Sequence, residues 1–407
     1  MTTTINNEHK KLNVPNLRFK EFQGEWEEST IGEMFDLYSG NTPSRLNKEH
    51  FKGTVNWISS GELKEHYIYS SKEQISEEAA KSLKLLPAGT FVIAIYGLEA
   101  EGVRGTGSIT QEPSTISQAC MSFIPKGVIE NEFLYSWYKK HGNVIGIRYA
   151  QGTKQQNLSY DILEKFRIAY PNTKEQEKLN KFISLLDERI ATQNKIIEDL
   201  KKLKSAISKL LFTRKDLLET TIRLTDIATL KNGYAFQSSK YDTQGKWKIL
   251  TIANVSGERY INDDDCNCII NLPNDIQDHQ VLKEGDILIS LTGNVGRVSL
   301  CKDGNYLLNQ RVGLLHITKN VNQEFLYQVL SSRRFENSMV ACGQGAAQMN
   351  IGKGDVENFV LPYSSNANNI HLVARILHSY DECIINELRE LTLLTMQKQY
   401  LLQQMFI

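Results

Sequence analysis

The sequence predicts an α+β protein that arose by tandem duplication, with two mixed α/β domains joined by two long antiparallel coiled-coil helices in a pseudo-twofold symmetric arrangement. Three observations predict this fold. A long segment recurs about 193 residues later, each copy contains short β-branched and aromatic runs bounded by turn residues, and each copy ends in a long heptad pattern.

The repeat is clearest in the last part of each copy. The segment EFLYSWYKKHGNVIGIRYAQGTKQQNLSYDILEKFRIAYP begins at Glu132, and EFLYQVLSSRRFENSMVACGQGAAQMNIGKGDVENFVLPYS begins at Glu324. Upstream, STIGEMFDLYSGNTPSR matches LTDIATLKNGYAFQSSKY, and GTFVIAIYG matches GDILISLTG. The middle parts agree poorly, so one framework carries different loop residues. This pattern favours two domains that recognise different targets.

The repeat divides the chain into five parts. They are an N-terminal arm (1–25), a first mixed domain (26–173), a central long helix (174–215), a second mixed domain (216–364) and a C-terminal long helix (365–407). Within the mixed domains, the runs FVIAIYG and DILISLTG are predicted strands because turn residues bound them. The arm is expected to pack near the C-terminal helix.

The two long helices carry matched heptad patterns. In the first helix, the predicted core positions are Leu179, Leu186, Gln193, Leu200 and Ile207, together with Ile183, Ile190, Ile197, Lys204 and Leu211. In the second helix they are Val373, Tyr380, Glu387, Leu394 and Leu401, together with Leu377, Ile384, Leu391, Lys398 and Met405. Helices of roughly 38 residues span about 55 to 60 Å. This length favours a spacer over helices buried in one compact core.

The polar core positions of the two helices coincide. Gln193 matches Glu387, and Lys204 matches Lys398. Polar residues at such positions fix the register of a coiled coil. Parallel packing would set Lys204 against Lys398, which is costly. The sequence therefore predicts antiparallel packing, with Gln193 near Lys398 and an ion pair between Lys204 and Glu387.

The charge balance does not by itself indicate a nucleic-acid-binding protein. The chain has 47 basic and 47 acidic residues, so it lacks the bulk positive charge of many such proteins. DNA binding then requires basic residues gathered on one face, or partner subunits that contact phosphates. Residues 174–215 contain eleven Lys and Arg against six Asp and Glu. A solvated helix face is the ordinary meaning, and a helix lying along DNA or an acidic partner is the alternative.

Motifs of several enzyme classes are missing from the sequence. It has no G-x-x-x-x-G-K-[ST] run for ATP hydrolysis and no Asn- or Asp-Pro-Pro-aromatic motif for methylation of the amino groups of DNA bases. It also has no H-E-x-x-H zinc-binding motif. The six cysteines lack CxxC spacing, and we expect free thiols without a metal. The CxC at Cys266 and Cys268 could hold a metal, but alternate residues entering a strand explain it equally well. With no long apolar run, we expect a cytoplasmic protein without membrane association.

Two pairs of loops are candidates for nucleic-acid contact. The Gly-rich segments YGLEAEGVRGTGS and LTGNVGR suit tight turns that let the backbone approach DNA, and they carry Arg104 and Arg297. An arginine there could reach a guanine edge or a phosphate. The amide-rich segments AQGTKQQNLS and GQGAAQMNIG could contact adenine or phosphate. Their shared residues are assigned to backbone contact or scaffolding, and these are Gly152, Gln156 and Asn157, matched by Gly345, Gln348 and Asn350.

The duplicated layout, the SGNTPSR turn, the GTKQQNLS and LLDERI segments and the N-terminal NVPNLRFKEFQGEWEE together resemble the specificity subunits of type I restriction–modification systems. The resemblance covers nearly the whole chain. It implies two target recognition domains, each reading one half of a split sequence in double-stranded DNA, while the helices set the gap. It also implies that the helices dock two modification subunits, which restriction subunits join.

The same resemblance implies a chain without catalytic activity and without a bound cofactor. Modification subunits would use S-adenosylmethionine to methylate a flipped-out adenine in each half-site, and restriction subunits would use ATP and Mg²⁺. Two other classes stay open on the residues alone. A coiled-coil adaptor would bind only protein, with no dependence of DNA binding on Arg104 or Arg297. An enzyme of an unrecognised type would need an acid, a base and a nucleophile that no motif indicates.

For DNA contact we predict polar loop residues of each domain, with a solvated turn as the alternative for every one of them. In the first domain they are Ser39, Asn41, Thr42, Ser44, Arg45, Ser60, Arg104, Thr153, Lys154 and Gln155. In the second domain they are Asn232, Tyr234, Gln237, Ser238, Asn294 and Arg297.

Overall fold

The computed structural model describes residues 13–97, 104–150, 157–343 and 349–407, and its contacts divide the chain into two units. Unit 1 comprises the described residues of Met1–Thr192 together with Leu391–Ile407, and unit 2 comprises those of Gln193–Glu390. Each unit therefore contains one copy of the repeat and a segment of each long helix.

The described residues of unit 1 form ten short strands and four α-helices, besides segments of the two long helices. The strands are β1 (Glu27–Thr30), β2 (Phe35–Ser39), β3 (Val55–Ile58), β4 (Tyr67–Ile68), β5 (Glu73–Ile75), β6 (Phe91–Ala94), β7 (Gly107–Thr110), β8 (Ser114–Ile116), β9 (Cys120–Pro125) and β10 (Arg167–Tyr170). The helices are α1 (Ile31–Met34), α2 (Glu77–Ala80), α3 (Asn131–Tyr149) and α4 (Tyr160–Leu163). The strands form a five-stranded sheet in the order β2-β9-β6-β7-β4, a three-stranded sheet in the order β5-β3-β8, and the pair β1-β10.

Strand β6 shows why an unbroken apolar run forms a strand here. All four residues of its FVIA run are buried. Phe91 and Ile93 pack in one core cluster with Phe133 of α3, whereas Val92 and Ala94 pack in a second cluster with Ile58. Because successive side chains of a strand point to opposite faces, a central strand covered on both faces needs apolar residues throughout. The predicted strand is confirmed.

The long helix that follows, α5 (Thr173–Thr213), contributes its first half to unit 1. Leu179 and Ile183 of this helix lie in the same core cluster as Phe133. The described residues of the N-terminal arm also contact the long helices of this unit. Leu17 N donates to Gln404 O at 3.0 Å, and Arg18 donates to both carboxylate oxygens of Glu175. The described part of the arm therefore contacts the C-terminal helix, as expected.

Unit 2 repeats this construction. Its strands are β11 (Thr220–Arg223), β12 (Ala228–Asn232), β13 (Trp247–Leu250), β14 (Asn267–Ile269), β15 (Val281–Leu282), β16 (Ile287–Ser290), β17 (Val298–Leu300), β18 (Tyr306–Leu308), β19 (Val312–Ile317) and β20 (Val360–Tyr363). Its helices are α6 (Gln323–Leu330), α7 (Arg333–Gly343), α8 (Lys353–Glu357) and the long α9 (Ala367–Met405), whose last residues belong to unit 1. The sheets have the orders β12-β19-β16-β17 and β14-β13-β18-β15, beside the pair β11-β20.

One helix differs between the copies. The continuous α3 of unit 1 corresponds to two helices in unit 2, α6 and α7, which are separated at Ser331 and Ser332. The hydroxyl of Ser332 donates to Val329 O at 2.6 Å, and that of Ser331 donates to Gln328 O at 3.4 Å. Serine hydroxyls compete in this way with the helical hydrogen-bond pattern. The helix therefore ends and restarts there.

The long helices confirm the heptad prediction. Helix α5 has 41 residues and α9 has 39, and all of the predicted core positions are buried or half-buried. Within unit 2, Gln193 of α5 contacts Glu387 of α9, and Lys204 further along α5 contacts Asp381 earlier in α9. The two helices are thus antiparallel, as predicted.

The predicted polar pairs were nevertheless wrong. Lys204 donates to Asp381 at 2.5 Å rather than to Glu387, and Lys398 in unit 1 donates to Asp187 rather than lying beside Gln193. Gln193 instead donates to Glu387, its own counterpart in the repeat. The heptad pattern defines which side of each helix is buried but leaves the shift along the axis open. The observed shift gives both lysines an aspartate, which the predicted pairing did not.

The cysteines are free thiols among the described residues. Cys266 directly precedes β14 and Cys268 lies within it, and Asn254 Nδ2 lies 3.2 Å from Cys266 Sγ. Across the described ranges, no group of three or more His, Cys, Asp or Glu side chains is arranged to hold a metal ion. In the same ranges, no helix is long and apolar enough to cross a membrane.

Candidate nucleic-acid interface

The predicted turns after β2 and β12 are built in the same way. A Cβ atom on Gly40 would overlap the carbonyl oxygen of Ile116, and one on Gly233 would overlap that of Asn309. Glycine is required at both places because the backbones approach too closely for a side chain. The close approach holds each turn against the neighbouring strand end, where Asn41 N donates to Ile116 O at 3.1 Å.

The first turn exposes some of the predicted residues and anchors others. Ser39, Asn41 and Ser44 are exposed and Thr42 is half-buried, and Asn41 Oδ1 accepts from Thr42 N at 2.8 Å. Arg45 makes two hydrogen bonds to Glu73, at 2.6 and 2.7 Å, and stacks over Phe51 at 4.1 Å. The hydrogen bonds to Glu73 raise the pKa of Arg45, and both contacts keep its guanidinium against the domain.

Ser60 lies in a second short turn, directly after β3. It is half-buried, and its neighbour Ser59 donates to Glu62 at 2.6 Å, which caps the turn. Trp57 of β3 links this turn to the first one, because its indole Nε1 donates to Asn41 O at 3.0 Å. The structure therefore connects two of the predicted segments of the first domain through one buried side chain.

The turn after β12 carries different side chains. Tyr234 donates its hydroxyl to Asp275 at 2.8 Å, which raises the pKa of the phenol, and its ring lies 4.9 Å from that of Phe236. Asn232 is exposed, and its carbonyl oxygen lies 3.1 Å from His279 Nε2. Gln237 and Ser238 are exposed. A cavity of about 400 Å³ opens beside this turn, lined by Tyr234, Phe236, Gln237, Lys240, Tyr241 and Asn274.

The Gly-rich loops connect antiparallel strands, β6 to β7 and β16 to β17. Both arginines of these loops lie against the helix that follows the sheet. A Cβ on Gly146 of α3 would lie 3.3 Å from Cγ of Arg104, and Arg297 Nε lies 3.9 Å from Glu336 Oε1 of α7. Asn294 is exposed on the second of these loops. The two arginines thus occupy equivalent positions in the two units.

The amide-rich loops lie largely outside the described residues. Thr153, Lys154 and Gln155, predicted to contact DNA, fall there together with Gly152, Gln156, Gly345 and Gln348. The described flanks show how each loop returns to the domain. Asn157 bridges to Tyr96, and Asn350 bridges to Thr292, whose hydroxyl lies 3.1 Å from Asn350 Oδ1. Each amide-rich loop therefore ends beside the Gly-rich loop of its own unit.

Sequence reasoning missed the aspartates that pair with the two core lysines. Asp187 and Asp381 lie in the repeated segments LLDERI and SYDECI, at the same place in each. A comparison of charged residues between the two copies, position by position, would have found them. Asp187 also faces His66, and Asp381 also pairs with Arg259, so these aspartates connect the helices to the globular parts.

The fold and the site define a class of protein. The chain has two globular units of one design, with different polar side chains on equivalent loops, each joined to a pair of long antiparallel helices. A family model described as the type I restriction modification DNA specificity domain matches it twice, at residues 23–202 and 219–395. The chain belongs to this family.

Three curated relatives bear similar names. The specificity subunit of the type I restriction enzyme EcoR124I/EcoR124II of Escherichia coli is 31% identical over 208 residues, which cover 49% of this chain and 50% of the relative. The MjaIX specificity subunit of Methanocaldococcus jannaschii is 29% identical over 185 residues, which cover 44% and 42%. The MjaVIII specificity subunit of the same organism is 24% identical over 379 residues, 84% of each chain. The chain thus spans about half the length of the first two relatives.

Two solved structures share the fold along most of the chain. A type I restriction–modification S subunit from M. genitalium has a TM-score of 0.56 and 17% identity, and the match covers 97% of this chain and 99% of that one. A chain from a study of complex assembly and conformational transition of the type I R-M system has a TM-score of 0.59 and 15% identity, with 95% and 98% covered. At these identities, the likeness concerns the fold.

Proposed function

We propose that this chain is the DNA specificity subunit of a type I restriction–modification complex, in which each unit reads one half of a bipartite target. The observation that carries the proposal is the pair of specificity-domain matches, one for each copy of the repeat. Their equivalent loops bear different residues, such as Asn41 and Thr42 after Gly40 but Tyr234 and Phe236 after Gly233. Different side chains on one framework suit the reading of different bases.

Two DNA-reading domains in one chain discriminate between DNA sequences better than one domain does alone. A contact to a base edge is worth about 1–3 kcal/mol, so a single domain with few such contacts discriminates weakly. Linkage raises the effective concentration of the second domain at its half-site and rejects wrong spacings. We propose that α5 and α9 set this spacing, and the contact of Gln193 with Glu387 supports a fixed register between them.

Docking of modification subunits is proposed along the long helices. Within unit 2, Ile196, Leu203 and Leu210 of α5 are 41%, 46% and 56% exposed, and they recur at seven-residue spacing, which places them on one helix face. A stripe of large apolar side chains exposed in this way is typical of a surface that a partner covers. Partner subunits would also supply phosphate contacts that a chain of zero formal net charge lacks.

We further propose that the chain performs no catalysis and binds no cofactor. S-adenosylmethionine, ATP and Mg²⁺ would belong to the modification and restriction subunits. The sequence supports this division because it contains none of the motifs of those activities. The purified chain alone should therefore methylate and hydrolyse nothing, and it should contribute only the choice of DNA site.

The decisive experiment is methylome sequencing of cells that carry the modification gene with and without this chain. A split motif with methylated adenine in both halves is expected only when both are present. A motif that persists without this chain, or a continuous motif, would contradict the proposal. Docking is tested by copurification of Leu203→Lys with the modification subunit, with Ile270→Lys as a control at another exposed apolar residue of unit 2. Only Leu203→Lys is expected to lose the partner.

A further inference from the structure

Each unit buries a cation at the same place in the repeat. His66 directly precedes β4, which pairs with β7, and Arg259 directly precedes Tyr260, which bridges to the equivalent strand β17. Both cations lie between two tyrosine rings. The His66 ring stacks 4.0 Å from Tyr67 and 3.9 Å from Tyr135. In unit 2, the Arg259 guanidinium lies 5.5 Å from the ring of Tyr260 and 5.1 Å from that of Tyr327.

Each cation faces two carboxylates that belong to different elements. Arg259 donates to both oxygens of Glu324 at 2.9 and 2.6 Å, and it donates to Asp381 at 3.0 Å. His66 Nε2 lies 2.9 Å from Glu132 Oε2, and Nδ1 lies 3.5 Å from Asp187 Oδ2. The glutamate begins the helix that covers the sheet, and the aspartate lies on a long helix.

The second long helix completes the network in each unit. Lys204 of α5 donates to Asp381 of α9 at 2.5 Å, and Lys398 of α9 donates to Asp187 of α5. The cation therefore connects a strand edge, the covering helix and both long helices of its own unit. Because the His66 and Arg259 side chains are only 13% and 7% exposed, water screens these contacts poorly. This buried junction network fastens the globular part of each unit to its helix segments.

The two junction networks differ in one chemical respect. A guanidinium has enough N–H groups to serve both carboxylates and stays charged at every pH in a protein. A neutral imidazole has a single N–H and can donate to only one of them, whereas the imidazolium donates to both. Asp187 Oδ2 is buried, faces Nδ1 of His66 and makes no hydrogen bond with any other described residue. The unit 1 network is therefore complete only when His66 is protonated.

A second natural difference between the two units, at one position of the covering helix, adds to the first. In unit 2, the amide of Gln328 donates to Glu324 at 2.7 Å and to Asp381 at 2.6 Å, so it supports the same two carboxylates as Arg259. The equivalent residue of unit 1 is Ser136, whose shorter side chain has one donor. Unit 1 thus lacks the two-donor amide that supports both carboxylates of unit 2. His66 carries more of the junction there than Arg259 does in unit 2.

The surroundings of His66 favour the charged ring. Burial lowers the pKa of His66, but the neighbouring carboxylates of Asp187 and Glu132 raise it by more, so the pKa lies above its ordinary value. Burial also lowers the pKa of the nearby Lys139 to about 8, beside Lys398. The phenols stay neutral, because burial raises the pKa of Tyr67 to about 12 and that of Tyr135 further. Glu65 adds negative charge near Tyr135 and Lys139.

The direction of the pH effect follows from these contacts. A group whose folded pKa is raised contributes stability fully below its unfolded pKa, and the contribution is lost as pH rises through the folded pKa. The unit 1 junction is therefore most stable in mild acid, and it loses stability as pH rises above the raised pKa of His66. Loss of the Lys139 proton acts in the opposite direction at higher pH, because burial and Lys398 lower the pKa of this lysine and deprotonation relieves that cost. In unit 2, His378 Nδ1 also lies 3.5 Å from Glu324 Oε1, but Arg259 keeps its hydrogen bonds to Glu324 and Asp381 over the whole pH range.

We propose that His66 and Arg259 are positioning residues that hold each DNA-reading domain on its long-helix segments, through a pH-dependent junction in unit 1 and a permanent one in unit 2. The DNA part of this inference rests on the proposed function. It implies that recognition of the half-site read by unit 1 weakens as pH rises, while recognition of the other half-site does not.

The junction is tested first without DNA. Hydrogen exchange of the full chain is measured at about pH 6 and pH 8.5, with correction for intrinsic rates, on peptides that cover β4 and the start of α3. The wild type is expected to lose about tenfold protection there at the higher pH, on the order of one charge-assisted hydrogen bond. His66→Arg should abolish the loss, and His66→Gln should show the low protection at both pH values. His50→Gln, a histidine of unit 1 outside the network, should behave as the wild type. A wild-type loss that persists in His66→Arg would overturn the proposal.

The reciprocal change tests the comparison between the units. Arg259→His should introduce a pH-dependent loss of protection around Tyr260 and the start of α6, where none is expected in the wild type. If Arg259→His does not fold, the His66→Arg result alone decides the pH dependence. A folded Arg259→His with pH-independent protection would contradict the assigned role of the cation.

The positioning role is tested on the complex with modification subunits. Duplexes with one half-site intact and the other scrambled are bound at both pH values, and the ratio of the two affinities is followed. The ratio should shift about tenfold against the unit 1 half-site in the wild type and stay constant in His66→Arg. A constant wild-type ratio, beside the expected exchange result, would overturn the positioning role. A complex that binds neither half-site specifically would instead contradict the proposed function and leave the exchange result in support of the junction.

Discussion

Gln193 donates its side-chain amide to the backbone oxygen of Glu387 at 3.0 Å and also to the carboxylate of the same residue. The two residues occupy the same place in the two copies of the repeat. A heptad seam that is otherwise mostly apolar thus contains one polar pair formed by counterparts. Buried polar residues of this kind are known to fix coiled-coil register at some cost in stability.

Replacement of the Gln193–Glu387 pair should separate the contribution of its hydrogen bonds from the cost of burying its polar groups. Gln193→Leu leaves the half-buried Glu387 carboxylate without the amide donor and should destabilise the helix pair by about 1–3 kcal/mol. The double variant Gln193→Leu/Glu387→Leu should regain or exceed the wild-type stability, because apolar residues replace both partners. Hydrogen exchange of α5 and α9 measures both changes. A single variant as stable as the wild type would show that the pair does not contribute.

The stability lost on removal of a core lysine should depend more strongly on pH in unit 1 than in unit 2. Lys398→Met leaves Asp187 with His66 as its remaining cation, so unit 1 should lose about 2–3 kcal/mol of stability, and more as pH rises through the folded pKa of His66. Lys204→Met is the matched control, because Arg259 continues to pair with Asp381 at all pH values. Denaturant unfolding between about pH 6 and pH 8.5 measures the difference. Parallel profiles for the two variants would refute it.

Asp263 should make the stability of unit 2 sensitive to acid. Hydrogen bonds from Lys248 and Lys302 lower the pKa of this carboxyl well below its usual range. A depressed pKa contributes stability above the unfolded value of about 3.9, and the contribution is lost as pH falls through the folded pKa. Asp263→Asn should therefore cost about 1–2 kcal/mol at neutral pH and flatten the acid dependence. Asp264→Asn, at the exposed neighbour, should do neither in the same unfolding titration.

The turn after β2 should not tolerate a side chain at Gly40. Gly40→Ala places a methyl group on the carbonyl oxygen of Ile116, a backbone atom that cannot move aside, and should destabilise unit 1 by about 1–3 kcal/mol. Gly61→Ala is the control, because its new Cβ would meet no atom of the described residues within 4 Å. Urea unfolding of the two variants gives the comparison. Equal stability of both would contradict the close approach.

Arg297 should matter for DNA binding rather than for folding. Its side chain is 39% exposed, and its 3.9 Å contact with Glu336 is a weak surface ion pair. Arg297→Ala should weaken binding to the half-site read by unit 2 by about 5- to 150-fold, the range of about 1–3 kcal/mol for a base-edge contact. Fluorescence anisotropy with half-site duplexes measures the change, and Arg375→Ala on the exposed side of α9 is the control. Unchanged affinity in Arg297→Ala would remove this residue from the proposed interface.

The features that the sequence predicted correctly are those encoded locally. The FVIA run became β6 because an apolar tetrapeptide bounded by turns carries its own strand signal. The antiparallel helices followed from heptads and from charge repulsion between Lys204 and Lys398. The duplication itself doubled the evidence, since each copy supported the other.

The features that the sequence missed depend on distant partners. The register between the helices is shifted so that Lys204 reaches Asp381, and Asp381 is also held by Arg259 of the globular part, which no heptad contains. Arg45 is engaged by Glu73, 28 residues further on, through the pairing of short strands. No local pattern around Arg45 indicates this contact.

The buried junction networks also bear on how new domains could be grafted onto these helices. Both helix segments offer the same acceptor, an aspartate backed by a lysine, although one unit meets it with His66 and the other with Arg259. A transplanted domain would therefore need a cation ahead of the strand equivalent to β4 and a glutamate at the start of its covering helix. The choice between imidazole and guanidinium would then decide whether the engineered domain works equally well in acidic and alkaline media.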